Sequence, residues 1–124
     1  MTRPANSEAA LQRTVVQTLR AGLPHGWVIQ STANKPRSAA SGKLEKDMGA
    51  LAGWPDLAVF GQDGAGDPTA DFVELKSKSG TVSKEQESMH DRLRDLKFRV
   101  AVCRSLDDVL RFGRECGWPL KVTA

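Results

Sequence analysis

One stretch, from Gly53 to Lys76, constrains the fold more than any other. It reads Gly53-Trp54-Pro55-Asp56-Leu57-Ala58-Val59-Phe60, then a loop, then Asp71-Phe72-Val73-Glu74-Leu75-Lys76. Two short runs of strand-forming residues joined by turn residues specify a β-hairpin. Polar residues break these runs at Asp56, Glu74 and Lys76. Side chains alternate across a strand, so Glu74 and Lys76 leave one face while Val73 and Leu75 leave the other. Asp56 follows Pro55 at the start of the neighbouring strand, where its carboxylate can meet that of Glu74. Two acids and a lysine converging at one sheet edge suit divalent metal binding and phosphodiester chemistry.

Around this hairpin there is room for one core. The 124 residues are expected to form a single domain, 1–124, too small for two ordinary ones, with residues 1–6 as a frayed tail. An apolar fraction of 40% and a charged fraction of 27% belong to a globular protein in water. No stretch approaches the roughly 20 apolar residues of a membrane span, and the N-terminus has no signal-peptide pattern. The expectation is a cytoplasmic protein with no membrane partner. Cys103 and Cys116 match neither a disulfide framework nor a zinc site. A net charge of +3 tilts the balance toward an anionic partner. Lys35, Arg37, Lys43 and Lys46 lie together, opposed by Glu45 and Asp47, and form the best candidate for a phosphate-contacting segment. The same charges also suit a solvated loop and helix face.

Ser7 is the expected N-cap of a helix from about Glu8 to Leu23, with Leu11, Val15 and Leu19 as its apolar stripe. Glu8 lies one step back from Leu11 on the stripe side, although acids favour a first turn for dipole reasons alone. Trp27 to Ser31 reads as the first strand, and Thr32 to Gly42 as a loop beside the site. Lys43 to Leu51 reads as a short helix with Leu44, Met48 and Leu51 on one side, closed by Gly53. Gly61 to Ala70 makes a wide hairpin connection, in which Asp63 and Asp67 are turn residues because EF-hand spacing is absent. Ser83-Lys84-Glu85-Gln86 is a capping box. It opens a helix to about Asp95 with Met89, Leu93 and Leu96 inward. Phe98 to Cys103 is a strand, and Ser105 caps a last helix, Leu106 to Cys116, with Leu106, Val109, Leu110 and Phe112 inward. The order α-β-α-β-β-α-β-α, with a helix between the third and fourth strands, predicts an α/β fold: a mixed central sheet of about four strands flanked by helices.

The chemistry open to this constellation is phosphodiester hydrolysis, which needs an activated water and charge neutralisation at the phosphoryl oxygens. Mg²⁺ or Mn²⁺ takes hard oxygen ligands and only one or two protein carboxylates. Asp56 and Glu74 suffice as that pair, with the Leu75 carbonyl as an extra ligand and Lys76 to orient water and stabilise developing charge. Glu8 can add a ligand or position water if its helix packs beside the strand edge. A lone Glu-x-Lys would more simply be an exposed ion pair; the set of Gly-x-Pro-Asp, Glu-x-Lys and a preceding acid-bearing helix is harder to dismiss. His25 and His90 have no matching partners for zinc or a catalytic triad, and the glycines form neither a P-loop nor a dinucleotide fingerprint.

Those residues carry a resemblance to the PD-(D/E)xK nuclease superfamily and, in detail, to the VRR-NUC (virus-type replication-repair nuclease) family. The likeness covers nearly the whole chain: Ser7-Glu8, Asn34 and the basic loop, Gly53-Trp54-Pro55-Asp56-Leu57, Glu74-Leu75-Lys76, and Gly80-Thr81-Val82-Ser83-Lys84-Glu85-Gln86. The last is similar to the family's Gly-x-Leu-Ser-x-x-Gln stretch, with Val82 where leucine is commoner. The resemblance implies a restriction-endonuclease-like fold and metal-dependent DNA cleavage. It assigns Asp56, Glu74 and Glu8 to the metal, makes Lys76 the catalytic lysine and has Gln86 support the site. Stand-alone members of this length, in phages and bacteria, resemble Holliday-junction resolvases and act as homodimers. The expectation is therefore a Mg²⁺- or Mn²⁺-dependent DNA endonuclease selecting branched structure, in the cytoplasm of a bacterial or phage-infected cell. The alternatives are a nuclease of flaps, nicks or ends, and a non-catalytic DNA-binding module. Lys35 to Lys46, with Lys78 and Lys84 near the active edge, would supply phosphate contacts.

Overall fold

The computed structural model describes residues 7–32 and 39–121. Four helices and four strands alternate in the expected order: α1 (Ser7–Gly22), β1 (Val28–Ser31), α2 (Ala39–Asp47), β2 (Leu57–Gln62), β3 (Pro68–Leu75), α3 (Lys84–Asp95), β4 (Arg99–Cys103) and α4 (Leu106–Cys116). The strands form one sheet in sequence order. β1–β2 and β2–β3 are antiparallel. β3–β4 is parallel, because α3 carries the chain back to the same end of the sheet.

Alternation along β3 divides the core into two layers. Val73 and Leu75 point with Leu57, Val59 and Cys103 into a cluster closed by Val15 and Leu19 of α1 and Val109 and Phe112 of α4. Phe72 points the other way, with Ala58 and Val100, against Met89 and Leu93 of α3. The apolar stripe of α1 is thus the buried one, and each such side chain contributes about 1.5–3 kcal/mol on leaving water. On the α3 side the Phe72 ring meets Trp54 edge-on at 5.5 Å and Phe98 at 5.7 Å. That aromatic group clamps the segment before β2 onto the strand that carries Glu74.

Several boundaries differ from the sequence expectation, each for a local reason. α1 begins at Ser7 itself, within the usual play of a helix end. The hairpin connection is tight, since the strands run to Gln62 and from Pro68. Asp63 closes it by accepting from the Ala65 and Asp67 amides, both at 2.9 Å. α2 starts at Ala39, inside the expected loop, and stops at Asp47. Its terminator is Gly49 (φ +104°), where the Gly49 and Ala50 amides reach back to the carbonyls of Lys46 and Glu45. Leu44, Met48 and Leu51 are all exposed, so this stripe is not the buried face its spacing suggested. Leu96 likewise lies in solvent, because α3 ends at Asp95 and Leu96 is its cap.

Gly53 has a different task from closing α2. Its φ is +81°, and a Cβ there would run into the Glu85 carbonyl in the first turn of α3. Only glycine lets the Trp54-Pro55-Asp56 segment lie against that turn.

Candidate active site

Antiparallel pairing of Leu57 with Val73 places Asp56 and Glu74 across from one another at one end of the hairpin. Asp56 is fixed there by its own backbone and side chain. Its carbonyl accepts from Thr32 N at 2.9 Å, and its Oδ2 accepts from Leu75 N at 2.7 Å. The backbone of Leu75, whose carbonyl is the third expected ligand, is held by that bond. β3 then continues in register, with Lys76 N donating to Cys103 O at 3.0 Å.

Glu74 is 1% exposed, and its two oxygens differ. Oε2 accepts from Gln86 Nε2 at 3.1 Å and lies 3.9 Å from Lys76 Nζ. Oε1 is buried with no hydrogen-bond partner, and the His90 Nε2 beside it at 3.6 Å has none either. Burial pushes the Glu74 carboxyl from the ordinary glutamate range up to about 8, and the hydrogen bond and charge of Asp56 push the same way. Lys76 opposes them only in part, and Glu8 adds a weaker push upward. Burial, and then the charge of Arg94, lower the pKa of His90. Both shifts favour the uncharged forms, so burial works against an ion pair at this contact.

Gln86 performs two tasks with one side chain. Its Oε1 accepts from Ser83 N at 2.9 Å while Ser83 Oγ accepts from Gln86 N at 3.1 Å, which completes the capping box. Its amide nitrogen is the group that holds Glu74. Helix start and carboxylate orientation are therefore one arrangement. The turn after Lys76 is clamped from just beyond β4, where Arg104 Nη1 donates to the carbonyls of Ser77 at 2.7 Å and Gly80 at 2.6 Å.

The structure brings Asp56, Glu74, Leu75, Lys76 and Gln86 together. Glu8 stays exposed in the first turn of α1 and acts on Glu74 only through its charge. Among the described residues no three His, Cys, Asp or Glu side chains converge as a metal cluster. The acidic donor set is the Asp56–Glu74 pair. Lys43, Lys46, Lys78 and Lys84 are exposed. Lys43 pairs with Asp47 at 3.0 Å, a surface contact weak enough to yield to a phosphate. Lys35, Arg37 and Asn34 lie outside the described residues.

Sequence reasoning missed two residues of the site. His90 follows Gln86 by one helical turn, and that i, i+4 spacing was the available signal. Arg104 had none, because its partners are backbone carbonyls 24 and 27 positions away.

A buried acid pair with one unpartnered oxygen suits a hard divalent cation, which supplies the positive charge that burial and mutual repulsion call for. The VRR-NUC domain model matches residues 6–107. A solved structure titled "VRR_NUC domain protein" superposes with a TM-score of 0.66 at 20% identity, covering 86% of this chain and 84% of that one, a likeness that shows the fold. No curated protein matches the sequence significantly.

Proposed function

Because the chain belongs to the VRR-NUC domain family, a nuclease-type family, we propose that it is a Mg²⁺- or Mn²⁺-dependent endodeoxyribonuclease acting on branched DNA in the manner of a Holliday-junction resolvase. The observation that carries this reading is the Asp56–Glu74 pair, whose buried Glu74 is pushed up to about 8 beside a second acid. Asp56, Glu74 and the Leu75 carbonyl would hold the ion. When bound, it supplies a water of lowered pKa and draws charge from the phosphoryl oxygens.

Everything else falls to side chains of this chain. Lys76, whose ammonium lies 3.9 Å from Glu74 Oε2, orients the attacking water and stabilises charge developing on the phosphate. Gln86 fixes the rotation of the Glu74 carboxylate. Glu8, at the rim, positions water. Lys43, Lys46, Lys78 and Lys84, together with Lys35 and Arg37, contact DNA phosphates and make affinity fall with salt. Such contacts carry no base information, and the chain has no base-reading motif, so branched shape is the natural target. A homodimer would offer two sites to the two strands of a junction. No helix among the described residues is long and apolar enough to cross a membrane; the resolvase reading carries with it the cytoplasm of a bacterial or phage-infected cell as the place of action.

The test is cleavage of labelled four-way, flap, nicked and linear DNA in Mn²⁺ by wild type and Lys76→Ala. Paired symmetric cuts in the junction, reduced at least about 100-fold in the variant, are expected. Cleavage of flaps or ends alone replaces the resolvase reading with the other nuclease reading. DNA binding without cleavage by either protein leaves a binding module.

A further inference from the structure

We infer that His90 is a positioning residue for the Glu74 carboxylate, its Nε2–H donating to Oε1 once the carboxylate is ionised and holding a cation. This rests on the metal-dependent reading above. Within the described residues, Glu74 Oε1 and His90 Nε2 are the buried side-chain polar atoms without a hydrogen-bond partner, and they face one another at 3.6 Å. Two buried polar atoms left unpartnered side by side call for an explanation. The separation is beyond hydrogen-bond range, yet closure by roughly half an ångström brings it within.

Placement on α3 gives the pair its logic. Gln86 and His90 are one helical turn apart, so the same face of α3 offers one donor to each oxygen of Glu74. The Gln86 bond to Oε2 is already made. His90 is 1% exposed, so no water competes for it. An ionised carboxylate only accepts, so the imidazole that faces it must carry a proton on Nε2. Two donors would lock the carboxylate against rotation about its last bond, leaving its remaining lone pairs aimed at the cation. Outer partners of this kind typically change metal affinity 10–100-fold.

The experiment uses the full chain as wild type, His90→Leu, His90→Gln and Glu74→Gln. Mn²⁺ binding is measured without DNA by electron paramagnetic resonance, and cleavage is then followed against Mn²⁺ concentration. His90→Leu is expected to weaken Mn²⁺ binding about tenfold and to raise the half-saturating metal concentration equally. Glutamine, which restores a donor, should recover affinity to within about threefold. Wild-type affinity in the leucine variant, or equal loss in leucine and glutamine variants, overturns the assignment. Where His90→Leu fails to fold, wild type labelled with ¹⁵N-histidine decides. In Mg²⁺ the proton should reside on Nε2, and an Nδ1–H ring overturns the inference. Failure of the parent reading looks different. Wild type that binds no Mn²⁺, or Glu74→Gln that binds it unchanged, removes the metal site and His90's role with it.

Discussion

Asp71 and Glu74 sit three residues apart on β3, and each is 1% exposed, yet they are opposite kinds of buried acid. Asp71 is saturated. Arg99 Nε donates to its Oδ1 at 2.9 Å, and Trp118 Nε1 donates to its Oδ2 at 2.7 Å. It points to the α1/α4 side, where it ties the start of β4 and the segment after α4 to the sheet centre. Glu74 points to the α3 side with one oxygen unpartnered and a second acid alongside. A buried charge that is paired and hydrogen-bonded belongs to the architecture, whereas one left short of positive charge costs stability and persists where function requires it. Burial alone does not distinguish these roles; the inventory of donors does.

The sharpest way to break this contrast is Glu74→Gln. Glutamine keeps the shape and removes the charge, so cleavage should fall by at least about 100-fold, while the melting temperature at pH 8 in EDTA stays level or rises. The pH dependence follows from the direction of the shift. A carboxyl whose folded pKa lies near 8, above its unfolded value near 4.5, binds a proton in the folded state that the unfolded chain has released. Its stabilising contribution is complete below about pH 4.5 and is lost as pH rises toward 8. Urea midpoints of wild type minus those of Glu74→Gln should therefore decline from pH 5 to pH 8 in EDTA. A rising difference would mean that Glu74 is better supplied with donors than the geometry indicates.

Asp71→Asn should do the reverse. It uncouples Arg99 and offers the Trp118 N–H a poorer acceptor, or faces it with an amide donor, for a loss of about 2 kcal/mol. In a domain of this size that lowers the melting temperature by several degrees. Cleavage per folded molecule should stay within about twofold of wild type, because nothing in the Asp56–Glu74 pair touches Asp71. A variant of normal stability would show the three-way contact to be incidental.

The same contrast marks how far the sequence could be read. The element order, the hairpin, the capping box and the buried stripe of α1 were legible because each is set by neighbours in the chain. So was the meeting of Asp56 with Glu74, which needs only alternation and antiparallel pairing of the two runs, even though the connection proved tighter than expected. The role of Asp71 was not legible, because its donors lie 28 and 47 positions away. His90 appeared partnerless because its neighbour is on another element. α2 misled in the opposite sense: Leu44, Met48 and Leu51 have the spacing of a buried face, but periodicity shows which residues share a side and never what covers it. Gly49 stops the helix before that stripe is complete.

The smallest effect gives the finest resolution. Trp118→Phe keeps the aromatic ring that meets Phe112 edge-on at 5.7 Å and removes the indole N–H bound to Asp71. The expected loss is about 1 kcal/mol, read from urea midpoints, with no change in cleavage. Its value lies in combination. With Asp71→Asn the double variant should lose less than the sum of the two single losses, because both changes remove the same hydrogen bond. With Glu74→Gln they should add within about 0.5 kcal/mol, since the two acids point to opposite faces of the sheet and share no partner. Strong coupling in the second cycle would mean that the two faces communicate through β3, and that the architectural acid also tunes the chemical one.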